Sequence, residues 1–267
     1  MLAKTNYTEC ILPNKWFFFI MHFTIFLILI LGISIGVLID YLADVLPYKR
    51  KLVAPFCTIC QSSVRWQDFF AQRRCSQCAA KRTLRSWLIR LFLPLIFVVL
   101  WLFPTTRIDF WLGAIFITVF SLIMIIDIEH RAIIYPVLLP AAIASFAIGW
   151  VLHGIVPTLI GGICGYLIML VLYYLGSLFE RFIARLRKRP LDEVALGFGD
   201  VNLSATLGFV LGFPGIIAGL TLAILLGGIV SLFTVVYMLA IRRYRPFTAL
   251  PYAPFLILGT AILLFRP

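Results

Sequence analysis

Two aspartates sit at the ends of strongly apolar runs. Asp127 closes the run 116–126 and is followed by Ile128-Glu129-His130-Arg131. Asp200 ends Gly197-Phe198-Gly199-Asp200 and opens another apolar run. Two carboxyl groups sharing one proton can hydrolyse a peptide bond: the ionised one takes a proton from water and the protonated one polarises the carbonyl. Two like charges in a poorly hydrated place favour keeping that shared proton. Gly197 and Gly199 carry no Cβ, which leaves room for a substrate strand beside Asp200. The plainer reading is that each aspartate merely ends a helix at an interface, Asp200 as an N-cap. Glu129 and His130, next to Asp127, are candidates for meeting substrate, with ordinary boundary charge as the alternative for both.

A second constellation lies upstream. Four of the six cysteines form two CxxC pairs, Cys57/Cys60 and Cys75/Cys78, with 14 residues between the pairs. Such pairs suit one tetrahedral thiolate zinc site better than redox thiols or unrelated cysteines. Aromatic and basic residues between them (Trp66, Phe69, Phe70, Arg73 and Arg74) are candidates to fold over the metal.

These groups need helices in a bilayer to hold them. Of 267 residues, 63% are hydrophobic and 13% charged, against about 45–50% and about 25% in soluble domains. The apolar runs, of about 18 to 25 residues, are long enough to cross a roughly 30 Å hydrocarbon layer as helices. Eight spans are expected, at about 16–39, 87–103, 110–128, 136–152, 156–178, 200–213, 215–240 and 248–265, each end to within about 2–4 residues. The first reads as a retained anchor: it is long for a signal peptide, lacks a small-residue cleavage site and precedes Lys49-Arg50-Lys51. The fold class is all-α, a polytopic membrane helix bundle with one small loop outside it.

Charge then orients the bundle. Loops 47–86, 129–135, 180–199 and 242–247 fall on one side and hold 18 of the 23 basic residues, among them Arg73, Arg74, Lys81, Arg82, Arg185, Arg187, Lys188, Arg189, Arg242, Arg243 and Arg245. The net charge of +12 therefore reads as a cytoplasmic-side signal rather than as nucleic-acid binding. Both aspartates then lie at the cytoplasmic boundary, one at the end of a span and one at the start of another. The run Arg181 to Arg189 suits contact with anionic lipid. Asp40 and Asp44, one turn apart at the end of the first span, read as interfacial, with substrate contact as the alternative, and the sequence indicates no partner for His22 or His153. Glycines four apart (Gly32/Gly36, Gly161/Gly165, Gly208/Gly212, Gly215/Gly219) suit close helix packing.

The segment Gly197-Phe198-Gly199-Asp200-Val201-Asn202-Leu203 resembles the GxGD motif of the prepilin peptidases, the type IV leader peptidases, with Asn202 where that family usually has lysine. Asp127-Ile128-Glu129-His130-Arg131 resembles the segment around their first catalytic aspartate. The stretch 246–260, with Leu250-Pro251-Tyr252-Ala253-Pro254, looks like their last helix, Ala253 taking a common glycine position. Residues 32–47 look like the end of their first helix, where Val37 follows Gly36, Asp40 takes an asparagine position and Val45 an arginine position. The paired cysteines match the family loop, which usually carries a longer insert.

The resemblance implies a bacterial inner-membrane aspartic endopeptidase with Asp127 and Asp200 as its catalytic pair. It would remove the leader from prepilins or pseudopilins at the cytoplasmic face. The division implied is 1–46 as the first transmembrane helix, 47–86 as the cytoplasmic zinc-binding loop and 87–267 as the peptidase domain. Many relatives also methylate the new N-terminus with S-adenosylmethionine, but no glycine-rich nucleotide-binding loop is visible in this chain. The rival readings are a proton- or cation-coupled transporter using the same aspartates, and a zinc-ribbon assembly factor without catalysis.

Overall fold

The computed structural model describes residues 15–71, 73–81, 83–187, 197–241 and 251–266. Among them are nine helices: α1 (Lys15–Lys49), α2 (Trp66–Phe70), α3 (Leu84–Leu102), α4 (Phe110–His130), α5 (Tyr135–His153), α6 (Ile155–Arg187), α7 (Phe198–Leu211), α8 (Gly215–Ala240) and α9 (Ala253–Leu264). The described residues include no strand, only the isolated bridge between Phe56 and Ser63. Eight of these helices fall where the eight apolar spans were expected, and α2 is a single turn in the cysteine loop.

The helices are apolar around most of their circumference, as expected of elements that face lipid on one side and each other on the other. Phe23, Leu88, Trp111, Leu139 and Phe233 all point outward. Six helices (α1, α3, α4, α5, α6 and α8) are long and apolar enough to cross a membrane. The other two are shorter than a full crossing: α7 has 14 residues and α9 has 12, about 21 and 18 Å at 1.5 Å per residue. Two helices outrun their apolar runs. α1 passes through Pro47 to Lys49, and α6 continues to Arg187; apolar runs mark the lipid-embedded part of a helix, not its end. Arg82, Lys188, Arg189, Arg242, Arg243, Arg245 and the stretch 246–250 lie outside the described residues.

Close helix contacts use the small residues. A Cβ on Gly161 would lie 2.4 Å from the Gly208 carbonyl oxygen, and one on Gly208 would lie 2.3 Å from that of Gly161. Backbone therefore meets backbone between α6 and α7, and Ser204 Oγ adds a 2.8 Å hydrogen bond to the Gly165 carbonyl. Gly32 meets Pro94 across α1 and α3 in the same way, and Gly259 meets Gly219 across α8 and α9. In lipid, where apolar burial drives helix association weakly, such contacts carry much of the packing.

Gly208→Ala should therefore force α6 and α7 apart at an overpacking cost of about 1–3 kcal/mol. The measurement is the thermal midpoint of the purified protein in detergent, which should fall. Gly228→Ala, where an added Cβ meets nothing within 4 Å, should leave it unchanged.

Candidate active site

Asp127 lies in the last turn of α4, and that helix stops abruptly. Arg131 takes left-handed angles (φ 49°, ψ 39°) and donates its N–H to the Asp127 carbonyl at 2.8 Å. α5 restarts after only four residues, with Pro136 in its first turn, where a missing N–H costs nothing. Asp200 is the third residue of α7. Its carboxylate accepts the N–H of Gly197 at 3.2 Å. It thus caps the helix from inside the first turn, not from the N-cap position expected, which Gly197 occupies in extended conformation. The positive end of the α7 dipole favours a negative charge there.

The two side chains are 5% and 8% exposed, close enough together that the charge of Asp127 bears on Asp200. α5 and α9 each pack against both α4 and α7 and so hold the two aspartate-bearing helices in register. At the start of α9, the backbone N–H of Ala253 reaches the Asp127 carboxylate, and Tyr252 lies within the field of Asp200. Asp127 Oδ2 is buried and makes no hydrogen bond within the chain.

Gly199 has a different job from the one its sequence suggested. A Cβ there would lie 2.9 Å from Ile133 Cβ. Its bare backbone is covered by the α4–α5 link rather than open to a strand. Gly197 is less crowded: its nearest neighbour, Asp200 Oδ2, would lie 3.4 Å from an added Cβ. Glu129 and His130 turn toward α1 and α3. Glu129 pairs with Arg85, and the His130 ring stands edge-on to Tyr48 at 5.5 Å.

Asp40 and Asp44 are buried among partners from other helices. They are 0% and 5% exposed and belong to a buried ion network. Arg85 pairs with Asp44, with Glu129, and with Asp40 at 3.3 Å. Arg90 meets Asp40 at 3.0 Å, and Ser86 Oγ donates to Asp40 at 2.7 Å. Arg90 also donates to the carbonyls of Phe70 at 2.8 Å and Phe69 at 3.2 Å. His153, too, has a partner, the Val210 carbonyl at 3.2 Å. Arg85, Arg90, Ile133 and Tyr252 were not singled out as site residues in the sequence. Two arginines five apart at the head of an apolar helix were the available signal for the network.

The cysteines form two matching turns. In each, the first cysteine's N–H bonds a carbonyl five residues on (Ser62 or Ala80), and its carbonyl accepts an N–H four residues on (Gln61 or Ala79). Gln61 and Ala79 occupy the left-handed region at φ 56° and 54°. The four Sγ atoms lie within 4.8 Å of one another, with Cys57–Cys78 at 3.7 Å and Cys60–Cys75 at 3.6 Å. A tetrahedron with 2.3 Å arms has edges of about 3.8 Å, so the donors fit a zinc ion. The N–H of Cys78, then the Ser62 hydroxyl, bring the Cys75 thiol down to about 6. Although the N–H of Ala80 favours its thiolate, local desolvation and the neighbouring thiols push Cys78 up to about 12. Trp66, Phe69 and Phe70 form a stack that meets Tyr41 of α1 and Arg90 of α3, docking the loop on the helices.

Protons and metal compete for the same sulfurs, so affinity falls with pH. The purified protein should carry one zinc ion per chain at pH 8 and release it progressively as the pH falls and protons displace the metal from the thiolates. Elemental analysis after dialysis at each pH measures this. Replacing Cys57 and Cys75 with Ser should abolish metal retention at every pH.

Searches of curated proteins and of solved structures returned no match. A family model does match: residues 114–232 fit that of the type IV leader peptidase family. The matched stretch runs from the second turn of α4 through most of α8, so it holds both aspartates and Ile133. The match spans less than half of the chain, and within it both aspartate motifs lie in a stretch similar to the type IV leader peptidase family.

Proposed function

We propose that this protein is a multi-pass aspartic endopeptidase of the bacterial inner membrane that removes the leader from type IV prepilins or pseudopilins. The observation that carries the reading is the burial of Asp127 and Asp200 together, on two helices of the segment that matches the family model. In the proposed reaction one carboxylate takes a proton from water while the other, protonated, polarises the scissile carbonyl and then protonates the leaving amine. Asp127 Oδ2, with no bond inside the chain, is free to serve either step. Asp200, held by the Gly197 N–H, keeps a fixed orientation.

The excess of basic residues in alternate loops supports an orientation with the aspartates toward the cytoplasm. A prepilin's basic leader would stay on that side while its apolar segment inserts, which brings the scissile bond to the level of the pair. Asp127 lies one turn inside the end of α4, a depth that suits a substrate entering from the interface. A transporter would place such carboxylates on broken helices near the midplane, and this edge position favours the peptidase. Gly197 is proposed to border the substrate strand and His130 the leader side. The cysteine loop, 47–86, is proposed to hold structural zinc and to brace the peptidase domain, 87–267. N-methylation with S-adenosylmethionine is proposed only as a separate second activity, to be scored by product mass.

Asp127→Asn or Asp200→Asn should cut leader removal by about 10²–10⁴-fold, the usual worth of an acid–base group, while the protein remains inserted and folded. Co-expression with a prepilin, scored by intact mass, measures leader loss and any added methyl group together. Near wild-type processing by either variant contradicts the proposal.

In the same assay Gly199→Ala should lower cleavage by about tenfold or more, since an ångström of misplacement costs roughly 10²-fold. Gly197→Ala, which has more room, should cost less.

A further inference from the structure

Arg85 stands apart from the two aspartates yet contacts three carboxylates from two other helices. On one side it holds Asp40 and Asp44 of α1, and on the other it holds Glu129 of α4. Glu129 follows Asp127 by two residues, which on an α-helix is roughly 200° around the axis. The two side chains therefore leave α4 on opposite faces. Asp127 turns to α7 and α9, Glu129 to α1 and α3.

Tyr48 also meets the last turn of α4 at His130, and the Ile133–Gly199 contact follows it, while Glu129 ties it by charge to two other helices. Terminal carbonyls have no partner further along the helix, and at Arg131 the chain leaves the helix through a left-handed residue. A rotation there would move Asp127 relative to Asp200. The planar guanidinium suits such a clamp. Its NH1 takes Glu129 while its NH2 takes both aspartates of α1; a lysine offers only a point charge. α1 is a firm anchor in turn, because Asp40 is also held by Ser86 and Arg90, and Arg90 ties it to the cysteine loop.

We propose that Arg85 is a positioning residue for the peptidase site: by gripping Glu129 from α1, it sets the rotation of the α4 end that presents Asp127 to Asp200. The inference rests on the peptidase reading above. It assigns Glu129 to the clamp rather than to substrate, and it makes the α1–α3 pair part of the catalytic geometry.

Glu129→Ala tests it, because that variant frees α4 while leaving Arg85 on Asp40 and Asp44. With purified protein in lipid and a full-length type IV prepilin, kcat should fall by about tenfold, with KM and the thermal midpoint nearly unchanged. Glu129→Gln keeps an acceptor for the guanidinium and should recover most of the rate. Arg85→Lys should lower kcat as Glu129→Ala does. A prepilin with its basic leader residues neutralised should show the same fold-loss in Glu129→Ala. A rise in KM with unchanged kcat, abolished by the neutralised leader, would overturn the clamp and make Glu129 a leader-binding residue. Unchanged kcat and KM would overturn it too. Wild type and Asp127→Asn in the same assay separate the two levels. If wild type fails to cleave, or Asp127→Asn cleaves normally, the peptidase reading fails and the clamp goes with it. If those two behave as expected, a negative result with Glu129→Ala counts against the clamp alone.

Discussion

Two like-charged groups have to be held together in a place with little water, and the rest of the molecule can be understood from that constraint. Left alone, the carboxylates would separate or seek solvent. The bundle opposes this by bridging. α5 and α9 each pack on both aspartate-bearing helices, and the Ile133 side chain rests on the bare backbone of Gly199. Ile133 follows α4 and Gly199 precedes Asp200, so that one contact ties the exit of one aspartate helix to the entrance of the other. The positive end of α7 and the Gly197 N–H lie on the side of Asp200.

The opposite flank of α4 is braced by charge rather than by close packing. Arg85 and Arg90 join α1, α3, the end of α4 and the α2 turn in a network that excludes most solvent. A buried network of this kind is weak support for stability but good support for a unique arrangement. A second connection is aromatic: Phe56, next to Cys57, meets Tyr48 edge-on at 6.0 Å, and Tyr48 meets His130 at 5.5 Å. The cysteine cluster is therefore fastened by both routes to the helix end that carries Asp127. The polar part outside the bundle belongs to the same mechanical unit as the site.

Much of this was legible in the sequence, for physical reasons. Apolar runs report which segments leave water, so the presence and order of the eight long helices were legible, and the CxxC spacing reports two knuckles able to face one ion. Helix ends were less legible. α1 continues to Lys49 because polar residues support a helix outside lipid as well as within it. The length of α7 was read correctly, two residues out of place, but the shortness of α9 could not be read from hydropathy, which does not separate a helix from the apolar chain leading into it. The burial of Asp40 and Asp44 was not legible because their partners are 41 to 50 residues away. Gly199 looked like room for a substrate because a glycine shows an absent Cβ, not what fills the space. Pairwise contacts across long separations, rather than local pattern, account for what was missed.

The central claim is that the side chains of Asp127 and Asp200 meet. It can be tested without any substrate, in a protein lacking Cys10 and Cys164, with Asp127→Cys and Asp200→Cys combined. In native membranes a short bifunctional thiol reagent should join the two positions within one chain, as a crosslinked peptide pair in mass spectrometry, and neither single variant should give that pair. If both introduced thiols react with a small alkylating reagent yet the crosslinker never joins them, the two positions do not meet, and the account of this site as a carboxylate pair is wrong.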